Sequence, residues 1–128
     1  MKSILIDTNV YSAFKANDPE VVRRFRSCEA IHLNITVLAE LVAGFKAGSK
    51  EAQNREELKA FLNSPRVSLD ELTEATAEFY AHLYLMLRVK GTPIPTNDLW
   101  IAASALQHGC ALYSLDRHFR AIDGLLLV

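Results

Sequence analysis

Ser3-Ile4-Leu5-Ile6-Asp7-Thr8-Asn9 is the stretch that decides the fold. Ser3 to Ile6 is a short apolar run and reads as a buried strand, which Asp7-Thr8-Asn9 breaks with a polar turn. Buried strands of parallel sheets, covered on both faces, read as such near-continuous apolar runs. Asp7 then stands at the carboxyl end of a strand, where open α/β sheets hold their ligands.

The flanking sequence repeats the pattern. Val10 to Lys15 suits a short helix. Asn17-Asp18-Pro19-Glu20 is a helix start, with a capping residue, a proline in the first turn and an acid near the positive end of the dipole. That helix runs to about Ser27, with Val21, Val22 and Phe25 on one face and Arg23, Arg24 and Arg26 around the other. Ala30 to Ile35 reads as a second strand. Thr36 is expected to cap a helix running to about Ala47, which Gly48 ends. Lys50 to Leu62 is charged, with Leu58, Phe61 and Leu62 as its apolar stripe. Arg66 to Leu69 is a third strand, and Leu72 to Val89 a long amphipathic helix closed by Lys90-Gly91. Thr92 to Pro95 forms a rigid loop. Thr96 is expected to cap an apolar helix, Asn97 to His108, ended by Gly109. Ala111 to Tyr113 is a fourth strand, and Leu125 to Val128 a fifth. Alternating strands and helices imply one α/β domain over residues 1–128 with a parallel sheet.

The composition agrees. A chain of 128 residues suffices for one domain and its core. Half the residues are hydrophobic and 23% are charged, an ordinary globular balance. Lys plus Arg is 14 against 15 for Asp plus Glu, a net charge of -1, which excludes a strongly basic nucleic-acid coater. It does not exclude a nucleic-acid enzyme that supplies its own carboxylates. No apolar run approaches the roughly 18 to 20 residues of a membrane span. Asp7 comes too early for the apolar region of a signal peptide. A cytoplasmic protein with no membrane partner is expected. Cys28 and Cys110 are far apart and read as unpaired, buried thiols, with no structural zinc site.

Four of the acids stand in apolar company, where a carboxylate is expensive to bury without a partner. Asp7 and Asp116 each follow a strand. Glu40 shares its helix face with Thr36, Val37, Ala43 and Gly44, a face that suits packing better than water. Asp98 opens a helix whose face continues as Ile101, Ala102 and Ala105. Right-handed parallel connections bring such places to one edge of a sheet. Carboxylates gathered without Lys or Arg repel one another, and a hard divalent cation such as Mg²⁺ or Mn²⁺ solves that problem. A bound cation lowers the pKa of a water and neutralises phosphate charge. The residues therefore point to metal-dependent phosphodiester hydrolysis. The acids between Glu51 and Glu78 lie among other charges and receive no chemistry.

Asp7-Thr8-Asn9 after an apolar strand, Thr36-x-x-x-Glu40-Leu41-x-x-Gly44, Pro95-Thr96-Asn97-Asp98-x-x-Ile101-Ala102 and Ser114-x-Asp116-x-x-Phe119 resemble, in order, the pattern of PIN-domain nucleases. The chain looks most like VapC-type toxins of bacterial toxin–antitoxin modules. The resemblance covers essentially the whole chain, and its specificity lies in the ordered set of motifs. It implies a three-layer α/β/α sandwich around a central parallel sheet. It implies a Mg²⁺- or Mn²⁺-dependent endoribonuclease whose catalytic and metal-binding acids are Asp7, Glu40, Asp98 and Asp116. Asn9 and Ser114 would be polar supporting or substrate groups. Family members commonly carry Thr at the position of Ser114, and the hydroxyl is kept. The resemblance further implies a homodimer and an RNA substrate. It also implies silencing by a small VapB-type antitoxin, through which alone operator DNA would be contacted.

Arg117 and His118 follow Asp116 and are candidates for phosphate contacts. The Arg23, Arg24 and Arg26 group is a candidate guide for an RNA backbone. Trp100 and Tyr113 are read as core, and His32, His82 and His108 as structural, since no metal-ligand spacing joins them. A haloacid dehalogenase-type phosphatase needs a second Asp where Asn9 stands, and a receiver domain needs paired early acids. A PIN-like RNA-binding or scaffold protein without nuclease activity would be favoured by loss of one of the four acids, and all four are present. Those four set aside, residues 1–50 hold 7 basic residues against 3 acids, and residues 51–78 hold 3 against 7. The near-zero net charge conceals two regions of opposite sign.

Overall fold

Parallel neighbours cannot be joined by a tight turn, so each pair demands a crossover, usually helical. The computed structural model describes residues 2–128 and meets this demand with helices between strands. The order is β1 (Ser3–Ile6), α1 (Thr8–Lys15), α2 (Pro19–Ser27), β2 (Ala30–Asn34), α3 (Ile35–Ala47), α4 (Glu51–Leu62), β3 (Val67–Asp70), α5 (Glu74–Lys90), α6 (Thr96–Gln107) and β4 (Ala111–Tyr113), then a 3₁₀ turn at Arg117–Ala121. The sheet is wholly parallel, in the order β3-β2-β1-β4. Leu5 lies opposite both His32 and Leu112, which sets the register.

Successive strand residues point to opposite faces. Ile4, Leu5 and Ile6 are all fully buried, so both faces of the sheet are covered. The architecture is a three-layer α/β/α sandwich. Each such side chain contributes roughly 1.5–3 kcal/mol by leaving water. A second apolar centre forms where Phe14 stacks on Phe25 at 4.7 Å and Tyr11 meets Phe61 edge-on at 5.2 Å, joining α1, α2 and α4. Tyr80 packs on the half-buried Trp100 at 4.3 Å and pins α5 to α6. Tyr113 is core, and both cysteines are free and buried.

Several element ends differ from expectation, each for a local reason. α1 begins at Thr8, because the Asp7 carboxylate accepts the Thr8 N–H at 2.7 Å and caps the helix. β2 ends at Asn34, whose side chain accepts the Val37 N–H at 2.9 Å, so Asn34 is the α3 cap and Thr36 lies inside the helix. Pro95 occupies the cap position of α6, and Thr96 is helical and makes no side-chain cap. α5 begins at Glu74 behind a Thr73–Thr76 capping box and ends at Gly91, whose φ of 79° suits glycine. Leu125 to Val128 form no strand. Leu127 makes only an isolated parallel bridge to Leu112.

This topology creates a switch point. From β1 the chain builds outward through β2 to β3, while β4 docks on the opposite side of β1. The crevice that results lies at the carboxyl ends of β1 and β4, next to Asp7 and Ser114.

Candidate active site

Asp7 is 6% exposed and anchored on both oxygens. One caps α1, and the other accepts the Ser114 hydroxyl at 2.8 Å. Its backbone N–H extends the β1–β4 ladder to the Tyr113 carbonyl. Ser114 Oγ also accepts the Asp116 N–H at 3.0 Å, so one hydroxyl fixes both aspartates. Asp116 caps the 3₁₀ turn by accepting the His118 N–H. Asn9 Oδ1 accepts the Leu115 N–H at 3.2 Å and ties α1 to the segment after β4.

Glu40 enters from α3. Its Oε1 accepts the Thr8 hydroxyl at 2.8 Å, and its Oε2 accepts the Asn97 amide at 3.4 Å. The face around it departs from expectation. Thr36 and Val37 are buried, but Ala43 and Gly44 are exposed, and a Cβ added at Gly44 would meet nothing within 4 Å. Small residues there leave the approach to Glu40 open instead of packing it shut. Asp98 sits in the first turn of α6, where the helix dipole favours an acid. Ile101, Ala102 and Ala105 are buried behind it.

The fold thus brings the four acids together from four separate segments. Burial is the main force raising the Asp7 carboxyl above the usual range. The Ser114 and Thr8 hydrogen bonds oppose it, and the charges of Asp98 and Glu40 reinforce it. Asp98 is also raised, first by burial, with Asp116 and Glu40 adding negative field and His118 opposing. Among the described residues, the basic side chain in salt-bridge contact with these acids is His118, whose Nδ1 lies 3.0 Å from Asp98 and 3.1 Å from Asp116. The Asp98 hydrogen bond raises the His118 pKa. Ligand atoms of Asp98, Asp116 and His118 lie within 4.8 Å of one another. A cluster of carboxylate oxygens, electrostatically strained and short of cations, suits a hard divalent ion.

The exposed Arg117 lines a cleft with Ser114, Asp116 and Arg120. Arg23 is instead paired with Glu20, and Arg24 lies over the Tyr113 ring while also reaching Glu20. The structure adds Thr8, Asn97 and Arg120 to the site. Thr8 and Asn97 adjoin Asp7 and Asp98 in their motifs, which was the available signal. For Arg120 there was none.

A family model described as PIN domain matches residues 4–125. Ribonuclease VapC4 of Mycobacterium tuberculosis is 30% identical over 131 residues, covering 100% of this chain and 97% of that protein. Ribonuclease VapC2 of Rickettsia felis is 30% identical over 128 residues, covering 96% and 94%. Among solved structures, VapBC2 from Rickettsia felis, bound to a DNA fragment from its promoter, superposes with a TM-score of 0.86 at 26% identity, covering 98% of this chain and 97% of that one.

Proposed function

The chain belongs to the PIN-domain family, and from that premise we propose that it is the ribonuclease toxin of a toxin–antitoxin module, cleaving RNA internally with a divalent metal, Mg²⁺ or Mn²⁺. The observation that carries the reading is the convergence of Asp7, Glu40, Asp98 and Asp116, coupled through their charges, at the switch point of the sheet. The curated relatives, both ribonucleases, match the chain over nearly its full length. Residues 1–128 form, on this reading, a single PIN-like domain.

Asp7, Asp98 and Asp116 would hold the metal, and Glu40 would bind it through water or orient the attacking water. When bound, the ion supplies positive charge against the phosphate and acidifies a water. The remaining residues position this machinery. Ser114 orients Asp7 and Asp116 together, and Thr8 and Asn97 hold the two Glu40 oxygens. Arg117 and Arg120 offer guanidiniums to RNA phosphates at the edge of the site. The basic excess of residues 1–50 attracts the backbone without reading its bases.

The partner on this reading is a VapB-type antitoxin, with operator DNA contacted only through it and the toxin forming a homodimer. Its support is the likeness to VapBC2 from Rickettsia felis, a toxin–antitoxin pair solved on promoter DNA. No described helix is long and apolar enough to cross a membrane.

The test is Asp7→Asn. Asn keeps the shape and the helix-capping ability but removes the charge. Parent protein should cleave RNA when Mg²⁺ or Mn²⁺ is supplied and stop when the metal is chelated. The variant should fold normally and cleave at least about 100-fold more slowly, a loss typical of removing an electrostatic element of the transition state. Equal cleavage by parent and variant would sink the assignment.

A further inference from the structure

The far end of α6 holds a second cluster. His32 projects from β2, and Asp70 closes β3. His108 caps the carboxyl end of α6. His32 Nδ1 lies 2.8 Å from Asp70 Oδ2, and His108 Nε2 lies 3.6 Å from the same oxygen. The two imidazoles are nearly parallel, at 28° with centroids 5.6 Å apart. Ligand atoms of all three residues lie within 4.8 Å of one another. The Cys110 thiol donates to the His108 backbone carbonyl at 3.8 Å.

We propose that His32, Asp70 and His108 form a Zn²⁺ site, separate from the carboxylate cluster, that staples β2, β3 and α6. Two imidazoles and one carboxylate are the donors that borderline metals take, whereas the carboxylate-rich set at the other end of α6 suits a hard ion. A tetrahedral zinc with bonds of 2.0–2.1 Å has ligand atoms about 3.3 Å apart, and the observed 2.8 and 3.6 Å bracket that value. Both ring nitrogens converge on one carboxylate oxygen, more than a single histidine–carboxylate pair requires. The side chains of His32 and Asp70 are 17% and 9% exposed, while that of His108 is 31% exposed, which gives the ion an entry side. Three protein ligands would leave a fourth position for water. Asp98 and His108 are ten residues apart along α6, about 15 Å by helical rise, so one ion cannot serve both clusters.

The experiment adds Zn²⁺ to the chelator-treated 128-residue chain carrying Asp98→Asn and Asp116→Asn, which disable the other cluster. Calorimetry should read one Zn²⁺ per chain, and Tm should rise by roughly 5–10 °C at a hundredfold excess over Kd. Co²⁺ in its place should show the visible absorption of a tetrahedral site. Adding His108→Gln should weaken binding at least tenfold. His108 is at a helix end and partly exposed, so this variant keeps the fold, and its metal-free Tm should match the background. Adding Asp70→Asn should also weaken binding. Failure of the background protein to bind Zn²⁺, or unchanged binding after His108→Gln, overturns the proposal. Neither result bears on the ribonuclease reading, which the Asp7→Asn assay decides alone.

Discussion

Ser114 Oγ donates to Asp7 Oδ2 at 2.8 Å across 107 residues of sequence, and the same oxygen accepts the Asp116 N–H. One hydroxyl therefore locks the ends of β1 and β4 together and sets two carboxylates of the proposed metal site. Ser114→Ala should lower kcat for RNA cleavage by about 10-fold and weaken the metal requirement's midpoint in the same direction, since losses of this size follow removal of groups that orient metal ligands. Ser114→Thr keeps the hydroxyl and should retain activity near the parent's. Metal titrations of cleavage rate separate the two variants.

Thr8 and Glu40 form the second long-range support, at 2.8 Å. Thr8→Val removes the donor and keeps the side-chain volume. Glu40 then loses one of its two anchors and samples other rotamers. The expected outcome is a fall in kcat of about 10-fold with KM little changed, because a positioning defect acts on the transition state more than on substrate binding. Steady-state kinetics on a short RNA checks the split. A KM effect alone would place Thr8 in substrate binding instead.

Asn34 is fully buried and serves two masters. Its Oδ1 caps α3, and its amide donates to the Trp100 carbonyl and the Ser104 hydroxyl on α6. Asn34→Ala removes the cap and leaves polar groups of α3 and α6 unpaired in the core. The loss should be about 3 kcal/mol, combining a cap with unsatisfied buried groups. Urea denaturation measures it, and a loss below about 1 kcal/mol would mean water or repacking satisfies those groups.

The Tyr11 hydroxyl is buried without a hydrogen-bond partner, and burial, helped by the Glu57 charge, pushes its pKa up to about 12. The unfolded value is about 10, so stability tied to the neutral phenol is present below pH 10 and is lost as pH rises through 12. Tyr11→Phe keeps the ring against Phe61 and removes the orphan hydroxyl. At neutral pH the variant should be as stable as the parent or up to about 1 kcal/mol more stable. Between pH 10 and 12 it should lose less stability than the parent. Melting curves across that range provide the check.

Sequence alone determined the strand-and-helix alternation and the parallel sheet, because apolar runs such as Ser3 to Ile6 and caps such as Asp18 are local signals. It also singled out Asp7, Glu40, Asp98 and Asp116, because an acid among apolar neighbours needs an explanation wherever the chain goes. Only the tertiary structure decided what those acids touch. Thr8 and Glu40 are 32 residues apart and Ser114 and Asp7 are 107 apart, and no periodicity connects them. The same holds for Asp70, which the charged sequence around it marked as a solvated acid, and for His32 and His108, which had no ligand spacing. The β2–β3 register places Asp70 beside Asn34, and the end of α6 brings His108 over His32. Local pattern fixes which face of an element is apolar, but partners across the sheet are chosen by strand order and register, which only the packed core enforces.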